Sequence, residues 1–222
     1  MCFLKKNHSR AFLTLVSLFM LSFLCASCAD SEADVISATS TVVFDYDSAD
    51  ASPSVRLAVF LQVTNEVQRT DHFEVSNAAS GYTWSVSNPG IFTGMNRSYA
   101  YSLNLNAPEG ADIPKGDYSV TYYDAAGNED SVRFSVNYDD ALLSSTTETC
   151  KDYLKNPVEN LAIYDDANEL LFMGKEKRSW KNNAAILKDY RIAQTKRVCY
   201  VTPGNALICI LPAESLKETE EN

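Results

Sequence analysis

Apolar and polar side chains alternate along the middle of the chain, from residue 41 to residue 138. A period of two places successive side chains on opposite faces of an extended strand, so each alternating run predicts one strand. Seven strands are predicted in this way, at residues 42–46, 55–63, 73–75, 82–86, 99–105, 118–122 and 132–136. Turn signals such as Asn88-Pro89-Gly90 and Gly127-Asn128 separate them. Several short strands at this spacing predict an all-β fold of two packed sheets.

One segment of this region carries a more specific pattern. The stretch Gly116-Asp117-Tyr118-Ser119-Val120 resembles the penultimate strand of immunoglobulin-like and fibronectin-III-like domains, where a tyrosine near the strand start closes a corner. The resemblance implies a seven-stranded immunoglobulin-like β-sandwich over residues 41–138. This region contains no cysteine, so it lacks the disulfide of antibody domains. Sandwiches of this kind carry many unrelated functions, and the fold alone therefore predicts no activity.

The alternation ends at Asp139. Residues 139–156 are predicted to be a linker with a short helix at 146–155, because Ser145-Thr146-Thr147-Glu148 has capping-box spacing and Pro157 ends a helix. Residues 157–212 are too few for a generous core and are expected to pack on the sandwich or form a small dependent β-rich C-terminal domain. Their predicted strands are residues 161–164, 170–173, 190–193, 197–202 and 206–211. Residues 213–222 are predicted to be an acidic disordered tail.

The N-terminus has the order of a secretory signal peptide. Lys5, Lys6 and Arg10 form a basic head, residues 11–24 are uncharged and mostly apolar, and small residues precede Cys28. The ending Leu24-Cys25-Ala26-Ser27-Cys28 resembles the lipobox of bacterial lipoproteins, in the relaxed form of spirochaetes, since cysteine stands where leucine is usual. The resemblance implies that signal peptidase II removes residues 1–27 and that Cys28 is lipidated.

An uncleaved membrane anchor is the alternative, because residues 11–29 carry no charge and a helix of that length just spans the hydrocarbon core. Both interpretations leave the basic head inside and the rest of the chain outside the cytoplasmic membrane. The predicted location is therefore the cell envelope, either periplasmic or surface-exposed. Residues 28–40 are small, polar and acidic, and are predicted to be a flexible tether.

Charge limits the partners of the mature chain. Removal of Lys5, Lys6 and Arg10 leaves 16 basic residues against 29 acidic ones, a formal charge of −13. This excess of acid argues against nucleic-acid binding, which needs lysine and arginine to neutralise phosphates.

Residues 174–197 are a basic exception, with a local charge of +6. The functional interpretation is a surface for an anionic envelope polymer or an acidic protein, with an aromatic anchor. Its candidate residues are Lys175, Lys177, Arg178, Trp180 and Lys181. The competing interpretation is a solvated segment that docks on the acidic sandwich of the same molecule.

Three cysteines remain after processing, so at least one has no partner within the chain. A three-residue loop at Pro203-Gly204-Asn205 would set Cys199 directly opposite Cys209, where side chains approach closely enough for a disulfide. A bridge from Cys150 to either of them, or buried free thiols, are the alternatives.

The remaining polar clusters favour turns over metal or catalytic sites, and no cofactor is predicted. Asp45, Asp47 and Asp50, and the acids of residues 124–130, could ligate Ca²⁺ but lack EF-hand spacing. His72 is the sole histidine of the mature chain, and it is expected on the outer face of a strand. The aromatic pairs spaced by two, Tyr99 with Tyr101 and Tyr82 with Trp84, could form a sugar platform but favour the packed face of a sandwich.

These patterns together predict a lipid-anchored envelope protein that acts as a binding module and not as an enzyme. One alternative is a structural or assembly component of an envelope complex, in which the anchor and the folded spacer matter. The other is a cell-envelope hydrolase with a cleft at His72.

Overall fold

The computed structural model describes residues 34–64, 67–94, 96–108 and 111–217. Within these ranges the chain forms two β-sheets, one α-helix and four short 3-10 turns. The strands are β1 (Val35–Asp45), β2 (Ser54–Val63), β3 (Thr70–Asn77), β4 (Tyr82–Val86), β5 (Gly90–Gly94), β6 (Arg97–Asn106), β7 (Gly116–Asp124), β8 (Glu129–Val136), β9 (Val158–Tyr164), β10 (Leu170–Gly174), β11 (Thr195–Val201), β12 (Leu207–Ile210) and β13 (Glu214–Ser215). The helix is α1 (Asn183–Asp189), and the 3-10 turns are Val67–Arg69, Asp140–Ser144, Cys150–Tyr153 and Pro203–Asn205.

The predicted sandwich is confirmed, with eight strands instead of the seven expected, since β5 adds an edge strand beside β6. The smaller sheet has the strand order β4-β3-β7-β8, and it packs on the β1-β2-β6-β5 part of the larger sheet. This distribution of consecutive strands between two sheets is that of an immunoglobulin-like domain. The core between the sheets contains fully buried side chains from both of them, among which are Phe44, Leu57, Leu61, Phe73, Tyr118 and Tyr122.

The tyrosine corner expected from the sequence is present at the start of β7. The Tyr118 hydroxyl donates a hydrogen bond to the Pro114 carbonyl at 2.6 Å. A second buried tyrosine, Tyr138, donates to the neighbouring Ile113 carbonyl, also at 2.6 Å. The two tyrosine hydroxyls thus fix the segment that connects one sheet to the other. Each of the two carbonyls has a hydrogen-bond donor, as buried polar groups require.

The C-terminal strands extend the larger sheet of the sandwich. Strand β12 pairs in parallel with β1, with Phe44 opposite Cys209, and the sheet continues through β11 and β9 to β10. The inner face of the larger sheet is the one that bears Phe44, and it packs on the smaller sheet. The pairings place Leu161, Ile163 and Val198 on this same face, beyond the reach of the sandwich core.

Helix α1 and the loop before it cover the inner face of the C-terminal strands. Trp180, Ile186 and Ala193 pack on Leu161 and Ile163 in a second hydrophobic cluster. The Asn182 side chain caps the helix by accepting the Ala185 amide N–H at 3.0 Å. The strand predicted at residues 190–193 is wrong, because the chain turns there to return from the helix to β11.

Several predicted boundaries differ from the structure. Strand β1 begins at Val35, inside the predicted tether, because its first residues already pair with β2. The helix predicted at 146–155 is only the 3-10 turn Cys150–Tyr153, which has no side-chain cap. Strand β13 lies in the predicted disordered tail, where it pairs with the start of β11.

The signal peptide, the uncleaved-anchor alternative and Cys28 lie outside the described residues, as do residues 218–222 of the tail. In the part of the chain that the structure describes, no helix has the length and apolar character needed to cross a membrane.

Candidate functional site

The basic segment connects β10 to β11 and turns five cations to solvent. These are Lys175, Arg178, Lys181, Lys188 and Arg191, here called the basic surface. All five side chains are exposed, and none of them forms an ion pair with another described residue. The first three lie in the loop before α1, whereas Lys188 lies on the helix and Arg191 just after it.

Trp180, predicted to be an aromatic anchor for a ligand, is part of the core beneath this surface. Its side chain is only 5% exposed and lies edge-on to Phe172 and Tyr190, with ring centroids 5.0 and 5.9 Å away. The indole N–H donates to the Asp189 carboxylate at 2.8 Å, which satisfies the one polar group of the ring. A sequence cannot distinguish this tryptophan from an exposed one, because the chain around it has no regular period.

Lys177 contacts the aromatic rings beneath the basic surface and is paired with a carboxylate. Its ammonium lies 4.7 Å from the centre of the Trp180 ring and 5.4 Å from that of Tyr190, and it donates to Asp189 at 3.1 Å. Hydrogen bonds from Trp180 and from Lys177 lower the pKa of Asp189 below its usual range. Because Asp189 already neutralises Lys177, we assign the available charge to the five residues of the basic surface.

Some cations of the basic segment, residues 174–197, pair with carboxylates of the same chain. Arg197 docks on the sandwich, since its guanidinium pairs with the Asp45 carboxylate at the end of β1. Lys196 pairs with Glu214 of β13 at 3.3 Å. Arg197 is therefore the residue of the segment that docks on the sandwich, Lys196 is paired within the C-terminal strands, and neither contact involves the basic surface.

A groove runs beside the basic surface, between α1 and the end of the described chain. It has a volume of about 730 Å³ and is lined by Asn182, Asn183, Ala184, Leu187, Leu216 and Lys217. The lining offers amide groups and one further cation next to Lys181 and Lys188. These amide and ammonium groups can form hydrogen bonds with a ligand that the charges attract.

The outer face of the larger sheet carries aromatic rings that the sequence interpretation placed in the core. The side chains of Tyr99 and Tyr101 lie on the face of the sheet opposite to that of Ala100, which is fully buried. The Tyr101 ring stacks on Phe60 with centroids 5.5 Å apart and covers Gly90, where an added Cβ would lie 2.4 Å from the ring. The packed-face prediction holds for Trp84, which is 8% exposed and donates to the Asn106 carbonyl.

The predicted register of the last hairpin is wrong by one residue. Cys199 lies opposite Ile210, and Cys209 lies opposite Tyr200, so the two thiols are on opposite faces of the sheet. The loop contains four residues instead of three, because the 3-10 turn takes in Gly204 and Asn205 with positive φ values of 73° and 58°. All three described cysteines are buried and free, and burial raises the pKa of Cys199 to about 11.

In each of the two clusters considered as metal sites, one carboxylate is engaged in other bonds. Asp45 binds the guanidinium groups of Arg56 and Arg197. Burial tends to raise the pKa of Asp124, but hydrogen bonds from Asn128 and Ala126 outweigh it and leave the pKa below its usual range. Among the described residues, no three His, Cys, Asp or Glu side chains are grouped so that they could hold a metal ion.

His72 lies on a strand of the smaller sheet, with its imidazole stacked on the Tyr123 ring at 4.3 Å. Its Nδ1 atom is 2.7 Å from the carboxylate of the adjacent Asp71. The histidine–carboxylate pair is therefore local to one strand, and its position on a half-exposed face is the one expected from the alternation.

Comparison with known protein families finds no match for this chain, and comparison with curated proteins finds no similar one.

Proposed function

We propose that this protein is a non-catalytic envelope lipoprotein, held on the outer side of a bacterial membrane by a lipid on Cys28, which binds an anionic polymer through the basic surface. The observation that carries the proposal is the exposure of five cations without carboxylate partners among the described residues, in a mature chain of formal charge −13.

The charge distribution favours a partner with repeated anionic groups. A single exposed ion pair contributes little, but several cations on one surface act together on a polymer that spans them. Arginine also offers a planar fork of donors that fits phosphate and carboxylate groups. The acidic remainder of the molecule repels the same polymer, so binding is expected to orient the protein with the basic surface toward its partner.

Reversal of three of these charges tests the proposed surface. We expect the triple substitution K175E/R178E/K181E to weaken binding to immobilised polyphosphate roughly 30- to 100-fold at low salt, because three attractive contacts become repulsive. Binding of the unchanged protein is expected to weaken as salt is added, since exposed charges are screened. Biolayer interferometry over a series of salt concentrations measures both effects.

The matched control is the triple substitution R97E/R133E/K155E, which changes three exposed residues outside the basic surface by the same total charge. We expect it to keep most of the affinity. An equal loss in both triple variants would show that net charge alone governs binding and would contradict the assigned surface. Binding to poly-glutamate but not to polyphosphate would indicate that the partner is an acidic protein and not an anionic envelope polymer.

The lipid anchor is tested by Cys28→Ser. We expect this change to abolish incorporation of labelled palmitate and to release the protein from the membrane fraction, because the proposed anchor is attached to that thiol. Cys25→Leu, which restores the usual lipobox residue, serves as the control and is expected to keep the label. Membrane retention of Cys28→Ser with residues 1–27 still attached would favour the uncleaved anchor instead.

A further inference from the structure

Two of the three described cysteines meet in the core at the junction of the sandwich and the C-terminal strands. Cys150 begins the 3-10 turn that follows the sandwich, and Cys209 lies in β12. Both side chains are fully buried in the same hydrophobic cluster, and the nearby Cys209 thiol lowers the pKa of Cys150. The Lys151 ammonium lies 4.7 Å from the ring centre of Tyr200, the strand partner of Cys209, so the turn rests directly on this hairpin.

Cys150 and Cys209 lie in a different part of the core from the third cysteine, Cys199. The Tyr46 hydroxyl hydrogen-bonds to Ser145 at 2.6 Å and also reaches Cys150, so polar groups border the pair on the sandwich side. Cys199 lies on the opposite face of the sheet, packed with Ala162 and Val201. Only one pairing is therefore compatible with the fold as it stands.

We propose that Cys150 and Cys209 form a disulfide bond when the protein folds outside the cytoplasm, with Cys199 left as a free thiol. The compartment in this statement rests on the export assumed in the proposed function. The choice of partners rests on the burial of both thiols in the sandwich core, on the side of the sheet away from Cys199. The bond would close a loop of about 60 residues and attach β12, and with it the parallel junction to β1, to the end of the sandwich.

The chemistry is a thiol–disulfide exchange with a protein disulfide catalyst as oxidant. One of the two cysteines attacks the catalyst disulfide as a thiolate and forms a mixed disulfide with one of its sulfurs. The thiolate of the other cysteine then displaces that sulfur. In total the two thiols lose two protons and two electrons, and the catalyst disulfide is reduced to a dithiol.

Peptide mapping of the full chain recovered from the envelope tests the proposal. Free thiols are alkylated before and after unfolding, and the protein is digested without reduction. Chymotrypsin must be added to trypsin, because no lysine or arginine lies between Cys199 and Cys209, whereas Tyr200 does. We expect one cross-linked species that contains Cys150 and Cys209, and alkylated Cys199.

The variants give the controls. Cys199→Ser is expected to keep the cross-link, and Cys150→Ser and Cys209→Ser are each expected to remove it. Recovery of all three thiols in alkylated form, or of a bridge that includes Cys199, would overturn the proposal.

A second sample distinguishes this failure from a failure of the proposed location. The full chain is purified in detergent, reduced and refolded with oxidised glutathione. A cross-link that forms only in this sample would support the pairing and contradict folding in an oxidising compartment. Absence of the cross-link in this sample as well would overturn the pairing itself.

Discussion

Replacement of Trp180 by alanine is expected to lower the free energy of unfolding by about 3–5 kcal/mol, the range for a large aromatic side chain removed from a core. Trp180 is buried between Phe172 and Tyr190 and holds Asp189 through its indole N–H. Its loss would leave a cavity under the basic surface and would remove one of the two side-chain donors of the Asp189 carboxylate. Urea denaturation followed by circular dichroism measures the change.

Two further substitutions define what this result means. Trp180→Phe keeps most of the ring volume and is expected to cost less than Trp180→Ala. Ile192→Ala changes a side chain of the same segment that is 62% exposed, and is expected to alter stability by less than about 0.5 kcal/mol. If Trp180→Ala unfolded at the same urea concentration as the unchanged protein but no longer bound polyphosphate, Trp180 would be a ligand anchor after all.

Seven of the eight strands of the sandwich could be predicted because their information is local. Strands β3 and β7 alternate cleanly between buried and less buried positions, as a strand with one packed face must. The tyrosine corner could be predicted too, since Tyr118 bonds to a carbonyl only four residues before it. Each of these features depends on neighbours in sequence and on the requirement that apolar side chains leave water.

The sequence assigns side chains to the wrong face of the sheet where that face depends on the register between paired strands. An irregularity in the pairing of β2 with β6, between Leu57 and Val59, reverses the alternation along β6. Leu105 therefore faces the core while Tyr101 faces outward, although both have the same parity in the sequence. One extra loop residue likewise put Cys199 and Cys209 on opposite faces, because a shift of one residue moves a whole strand's side chains.

The candidate site was predictable as a charge pattern and not as a surface. The count of lysines and arginines in residues 174–197 identified the basic segment. Which of them would be used internally depends on carboxylates that are distant in the chain, such as Asp45 for Arg197, or that lie across a turn of the segment, such as Asp189 for Lys177. The seven-residue helix α1 is too short for its apolar period to be recognised.

Arg197→Met is expected to lower the free energy of unfolding by about 2–4 kcal/mol, because it removes the charged contact that joins the C-terminal strands to the sandwich. The Arg197 guanidinium binds the Asp45 carboxylate and donates to the Leu211 carbonyl at 2.6 Å and the Tyr46 carbonyl at 3.2 Å. Arg56 holds the other side of the same carboxylate at 2.8 Å. Methionine keeps much of the side-chain volume, so the loss measures mainly the missing donors.

Lys196→Met is the matched control, because it changes the adjacent residue of β11 and breaks only one ion pair, with the exposed Glu214. We expect it to cost less than about 1 kcal/mol, as ion pairs with one partner in solvent usually do. A double-mutant cycle of Arg197→Met with Asp45→Asn then isolates the energy of the shared contact. Equal losses for Arg197→Met and Lys196→Met would show that apolar packing of β12 on β1, and not this charged contact, joins the two parts of the sheet.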